Sequence, residues 1–212
     1  HTTPYAISAC LVGSEMCIRD SFRTLYIDMD SFFASIEQQL DPNLRNKPVA
    51  IAAINNDAGC VVAASYEAKA YGVKTGTRVY EAKILCPAIN FRQSRHKLYA
   101  KYNRYISYLL DSVAELESVR SIDEFQIYLG NGHSKLSKAI DLSTKIKGLI
   151  GREVGEEIRL SIGIGPNPLL AKIAGKLQKP NGLQWLCEEN MPGKINHLSL
   201  EDLPGISKGI KR

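Results

Sequence analysis

The stretch from Thr24 to Leu40 constrains this chain more than any other. LYIDMD is short, apolar and rich in β-formers, and it closes on two acids, Asp28 and Asp30, a pattern that suits a buried strand whose end opens into a site. FFASIEQQL follows at once, with Phe33, Ile36, Glu37 and Leu40 at helical spacing, and the turn signal Asp41-Pro42-Asn43 ends it. A strand is therefore predicted to run directly into a helix, so the acids sit where the chain changes direction.

The rest of the chain supplies partners for that strand. Residues 48–53 and 60–65 read as two strands about an Asn-Asn-Asp-Ala-Gly turn, and YEAKAYG and RVYEAKILC read as short helices, the second stopped by Pro87. Residues 95–116 carry Leu98, Tyr102, Tyr105, Leu109, Leu110 and Val113 at three- and four-residue steps, which predicts one long amphipathic helix, basic on its other face near the start. ESVRSI and FQIYLG then flank Asp123 and Glu124, which places those acids at a tight hairpin. A helix is predicted over 134–150 and a strand over 158–164, ended by Gly165-Pro166. With residues 32–94 set aside, the order is β-α-β-β-α-β, the ferredoxin-like or split βαβ arrangement. The expected fold class is α+β, with a small α/β lobe inserted after the first strand.

Composition narrows the function classes without choosing one. Lys and Arg number 27 against 22 Asp and Glu, a net charge of +5 that tolerates a polyanionic partner but does not demand one. Cys10, Cys17, Cys60, Cys86 and Cys187 are odd in number and form no C-x-x-C pair, so neither a disulfide framework nor a zinc site is indicated, and free thiols in a reducing cytoplasm are expected. No apolar run approaches the roughly 18 to 20 residues of a membrane span. Residues 1–22 show no sustained period and make no convincing signal peptide, because a basic lead is missing and Glu15 and Asp20 interrupt the apolar stretch. CLVGSEMCIRDS, Cys10 to Ser21, resembles a peptide produced when sequencing-adapter DNA is translated, so the native sequence is expected to begin near Phe22 or Arg23, with the tail disordered.

Acids at strand ends and turns are commonly just solvated, so neither acidic pair means much alone. Their combination does. In a β-α-β-β-α-β sheet the first strand and the central hairpin are neighbours, and Asp28 can face Asp123 and Glu124 across one surface. Three converging carboxylates repel one another unless a cation neutralises them. Hard oxygen donors point to Mg²⁺, with Mn²⁺ as a substitute, and a pair of such ions suits phosphoryl transfer. The main-chain carbonyl of Met29 is a further candidate ligand.

LYIDMDSFFASIEQ, ASYEAKAYGVKTG, RSIDEF and AKIAGKLQKPNG, in that order from Leu25 to Gly182, resemble the signature blocks of Y-family (DinB/UmuC-like, translesion) DNA polymerases. The resemblance implies a palm over 23–31 and 95–186, fingers over 32–94, and over 187–212 the start of a helical thumb whose remainder, with a little finger domain, is missing. It implies that Asp28, Asp123 and Glu124 form the metal-binding triad for two ions, that Ser31, Phe32, Tyr66, Lys69 and Lys179 contact the nucleotide, and that Phe33 is the steric gate against a 2′-hydroxyl. Primer–template DNA and dNTP are the implied partners of a monomer with no membrane association, and a sliding clamp reached through a missing C-terminal region is left open. LEDLPGISKGIKR resembles the opening of a helix-hairpin-helix, with Gly205 and Lys208 at the DNA backbone.

One departure bears on chemistry. The family commonly has Arg where Lys69 stands, and Lys keeps the charge but loses the planar fork that suits phosphate oxygens. Two rival readings stay open. A diguanylate-cyclase-like enzyme shares the palm order and an acid-Glu-Phe hairpin, but Ser121 and Ile122 replace the glycines it needs and it has no finger lobe. A truncated fragment that binds DNA without polymerising is the other.

Overall fold

The computed structural model describes residues 22–54, 56–130 and 132–206. In chain order its elements are β1 (Thr24–Met29), α1 (Phe32–Leu40), β2 (Val49–Ala52), β3 (Val61–Ala64), α2 (Tyr66–Lys69), α3 (Val79–Leu85) and β4 (Asn90–Gln93). Then come α4 (His96–Asp111), β5 (Leu116–Val119), β6 (Glu124–Tyr128), α5 (Leu136–Glu153), β7 (Leu160–Gly165), α6 (Pro168–Leu177) and β8 (Leu183–Trp185).

β1 is the centre of a five-stranded sheet of order β5–β6–β1–β7–β8 and pairs antiparallel on both sides. β1, α4, β5, β6, α5 and β7 are the predicted ferredoxin-like order, and α6 and β8 extend it by one strand parallel to β7. Successive side chains of a strand alternate between faces. Leu25, Ile27 and Met29 therefore join Phe125, Ile127, Ile162 and Ile164 in one core, closed by Tyr99, Ile106 and Leu110 of α4 and by Ala139, Ile146 and Ile150 of α5. Each such large side chain contributes roughly 1.5–3 kcal/mol by leaving water. Tyr26 and Asp28 point to the opposite face. There α6 lies so close to β7 that a Cβ on Gly163 would stand 1.9 Å from the Ala171 carbonyl oxygen.

The inserted lobe is a three-stranded sheet of order β3–β2–β4, with β2 antiparallel to β3 and parallel to β4. Its core is built of small residues, among them Ala50, Val61, Ala64, Ala68 and Ala82. α1 belongs to both lobes: Phe32 and Ile36 enter the large core, while Ala34 packs with Leu44, Val49 and Ile51.

Several expectations shift. The helix predicted over 95–116 stops at Asp111, because Ser112 turns its hydroxyl back to the Leu109 carbonyl at 2.7 Å and Leu116 is claimed by β6 as the partner of Ile127. β4 was not anticipated, having one large apolar residue, Phe91; the main chain of β2 recruits it. Beyond Leu186 the described residues form turns and a single 3-10 turn at Leu200–Asp202, packed through Leu198 and Leu203 on Ile173 and Leu186. Lys208 lies outside the described residues, as does the expected tail over 1–22 apart from Phe22, which is buried in the main core and so belongs to the fold. Among the described residues no helix is long and apolar enough to cross a membrane.

Candidate active site

Asp28 is the cross-strand partner of Glu124 on β6 and of Ser161 on β7. Directly opposed residues of antiparallel strands point to the same face, so Asp28 and Glu124 share a surface. Asp123 precedes Glu124 at the mouth of the hairpin, and its carbonyl accepts the Met29 N–H at 2.9 Å. The turn is fixed from two sides: the side-chain amide of Asn103 donates to the Ile122 carbonyl at 2.9 Å, and the Ser121 hydroxyl donates to Asp123 Oδ1 at 2.6 Å.

Lysines supply the opposing charge. Lys179 Nζ stands 2.5 Å from Asp28 Oδ1, and Lys172 of α6 pairs with Glu124 at 2.7 Å. The Tyr26 hydroxyl donates to the same Glu124 carboxylate at 3.0 Å. Burial raises the pKa of Asp28, Lys179 pulls it back, and Asp123 and Glu124 push it up again. Among the described residues no three or more acid, His or Cys side chains are grouped to hold a metal as they stand. The carboxylates at this end of the sheet nonetheless offer hard oxygen donors, a set that suits a hard divalent cation and not a thiolate-bound zinc.

A cleft of about 270 Å³ opens beside Asp28. Asp28, Met29, Asp123 and Lys179 line it from the large sheet, and Tyr66, Lys69 and the small run Val62-Ala63-Ala64 line it from the inserted lobe. Ser31, Phe32 and Phe33, at the start of α1, complete it. Ser31 has φ 50°, the left-handed region uncommon for a residue with a Cβ. That corner is what lets β1 turn into α1 without a loop, and it sets the start of α1 on the cleft wall, where a helix N-terminus favours anions.

The cleft's side chains are held from behind. The Phe33 ring stacks on Tyr99 at 4.2 Å and 13°, and the Tyr99 hydroxyl donates to Glu37 at 2.8 Å, where Arg95 also binds. Lys69 Nζ donates to Ser31 Oγ at 2.8 Å and sits 4.3 Å over the Tyr66 ring. One side of Lys69 is open to solvent, yet the protein around its ammonium lowers its pKa, with Lys179 adding to the effect and Asp30 and Asp28 opposing it. The Tyr66 hydroxyl donates to Asp30 at 3.2 Å, and burial followed by the Asp30 charge raises its pKa.

Two predicted residues lie apart from this wall. Glu124 is turned toward Lys172 and Tyr26, and Gly205 sits in a turn at φ +86° away from the cleft. Asn103 and Tyr99 were not singled out by the sequence, and Glu37, Lys172 and Asp30 carried no assigned role there. Asp30, Glu37 and Lys172 lie within the signature stretches, but nothing in the spacing of any of the five names its partner.

The family model described as impB/mucB/samB matches residues 27–176. DNA polymerase IV of Moorella thermoacetica is 41% identical over 184 residues, covering 86% of this chain and 46% of that protein. The crystal structure of DinB from Sulfolobus solfataricus superposes with a TM-score of 0.79 at 30% identity, covering 89% of this chain and 55% of that one. An insertion ternary complex of Dbh DNA polymerase gives 0.80 at 31%, over 89% and 55%. The chain spans about half the length of the curated relatives it matches. The family match takes in Asp28, the Asp123-Glu124 hairpin and Lys172 on one continuous stretch, and the chain belongs to the impB/mucB/samB family, with the palm-and-fingers fold of Y-family DNA polymerases.

Proposed function

We propose that this chain carries the palm and fingers of a template-directed DNA polymerase of the translesion type, transferring a nucleotide from dNTP to a primer 3′-hydroxyl. One observation carries the reading: the register that sets Asp28 opposite Glu124, beside a cleft where Tyr66, Lys69 and Lys179 converge. The palm is assigned to 23–31 and 95–186, the fingers to 32–94, and residues 187–212 to the start of the thumb.

Asp28, Asp123, Glu124 and the Met29 carbonyl are the groups that would hold two Mg²⁺ ions, with Mn²⁺ as a substitute. Such ions lower the pKa of an attacking hydroxyl and neutralise the charge of a transferring phosphoryl group. Lys69, Lys179 and the Tyr66 hydroxyl bind the triphosphate, with Ser31 and Phe32 beside it at the start of α1. Phe33, backed by Tyr99, lies against the sugar and excludes a 2′-hydroxyl. Val62, Ala63 and Ala64 form a roomy lid over the nascent base pair, which suits a damaged template. The Gly205 turn, with open space where a Cβ would stand, offers main-chain amides to a DNA phosphate. The working unit is a monomer on primer–template DNA in the cytoplasm.

Primer extension with Mg²⁺ and four dNTPs, run beside Asp123→Ala, tests the assignment. Extension that the substitution abolishes is expected. Extension that it leaves intact would end the catalytic reading, and cyclic dinucleotide made from GTP alone would replace it with a cyclase.

A further inference from the structure

Asp30, the second acid of the first strand, does not line the cleft and is 2% exposed. Its carboxylate is nonetheless crowded with donors. Ser161 Oγ reaches both oxygens, at 3.0 and 2.9 Å; the Tyr66 hydroxyl reaches Oδ1 at 3.2 Å; and the Asn181 main-chain N–H reaches Oδ2 at 2.7 Å. Lys179 Nζ is 3.7 Å from Oδ1. Those groups come from three separate places: β7, the first residue of α2, and the loop that follows α6. The backbone of Asp30 is pinned as well, its N–H to the Arg159 carbonyl at 2.9 Å and its carbonyl by the Ser35 hydroxyl at 2.8 Å.

Burying a carboxylate is costly unless donors surround it. Here the donors belong to segments far apart in sequence, so satisfying Asp30 fixes those segments relative to one another. We propose that Asp30 is a positioning residue that locks the two phosphate-gripping sides of the cleft together: Tyr66 on the inserted lobe and the Lys179 loop on the palm. This inference rests on the nucleotide reading of the cleft given above. Lys147 of α5 completes the clamp from outside, donating to the Asn181 carbonyl at 2.6 Å and to its side-chain oxygen at 2.9 Å. Asp30 acts through these neighbours, so its loss should weaken nucleotide binding and leave metal binding alone.

The test compares the full chain with Asp30→Ala, Asp30→Asn, Tyr66→Phe and the Asp30→Ala/Tyr66→Phe double variant. Three quantities are measured: dATP affinity in Mg²⁺ by calorimetry, Mn²⁺ affinity without nucleotide by electron paramagnetic resonance, and amide hydrogen exchange. Asp30→Ala is expected to weaken dATP about tenfold, and less in the Tyr66→Phe background, because groups acting as one unit are not additive. Asp30→Asn should stay within about threefold of the parent, since its oxygen still accepts from Asn181 while its amide donates to the Tyr66 hydroxyl. Exchange over 66–70 and over 178–183 should quicken together in Asp30→Ala, and together but to a smaller extent in Asp30→Asn, which loses one acceptor for Ser161 and the charge facing Lys179, with Mn²⁺ affinity unchanged. Parent-like exchange in both segments, or a loss of Mn²⁺ affinity matching that of Asp28→Asn, overturns the proposal. If the parent binds no dATP, the nucleotide reading fails, and the exchange measurement still decides whether Asp30 ties the segments. If Asp30→Ala does not fold, Asp30→Asn decides by the same exchange criterion.

Discussion

Gly163→Ala puts the seat of α6 to a direct test. A Cβ there would stand 1.9 Å from the Ala171 carbonyl oxygen, 2.3 Å from the Gly175 nitrogen and 2.9 Å from its Cα. All three are backbone atoms, so no side chain can swing aside. Bringing the nearest contact out to about 3.4 Å moves α6 by about 1.5 Å. Overpacking costs about 1–3 kcal/mol when side chains can share the strain, and a rigid obstacle puts this case near 3 kcal/mol. At roughly 2–4 °C per kcal/mol for a domain of this size, the melting temperature should fall by about 6–12 °C. The displacement also pulls Lys172 from Glu124, 2.7 Å away in the parent, so primer extension should fall with it. Gly148→Ala is the control: it sits exposed within α5 with nothing within 4 Å, and alanine should add about 0.5–1 kcal/mol. Thermal melts followed by circular dichroism give both numbers. A Gly163→Ala chain melting within about 2 °C of the parent would refute the close-approach argument.

Lys69→Arg should lower the apparent dNTP constant about threefold in steady-state extension, by restoring a fork for the phosphate oxygens; an unchanged or higher constant would count against that role. Because the Lys69 pKa is lowered, it sheds its proton at a lower pH than an ordinary lysine, so nucleotide binding should fade as pH rises toward that point. The Arg variant should hold its affinity over the same range, and parallel pH profiles would exclude Lys69 as the titrating group. Phe33→Ala should cut the preference for dCTP over CTP, in kcat/KM, by about tenfold or more, because Tyr99 stays behind the vacated ring position; an unaltered ratio would place the gate elsewhere.

The sequence was most readable where local pattern and catalysis coincide. LYIDMD and the Asp123-Glu124 hairpin announced themselves through period and turn chemistry, and the register then brought Asp28 opposite Glu124. α6 went unread as a helix because Gly165-Pro166 looked like a terminus, when Asn167 caps a new helix by accepting the Leu170 N–H at 2.9 Å. Its partner strand β8 is three residues long, too short for any alternation to show. The long helix was extended too far because Val113 and Leu116 keep a helical step after the backbone has left the helix. The supports behind the cleft were illegible for another reason: Glu37 meets Tyr99 and Arg95, and Asp30 meets Ser161 and Asn181, through tertiary contacts that no spacing encodes.

Because α1 lends Phe32 and Ile36 to one core and Ala34 to the other, the two lobes have no clean seam at Ser31. A chimaera with a relative spliced there would graft a foreign helix onto the palm and leave two hydrophobic interiors mismatched at once. The workable crossover is past Leu40, in the Asp41-Pro42-Asn43 turn, so Phe33 should travel with β1 and the large sheet although it falls within the stretch assigned to the fingers.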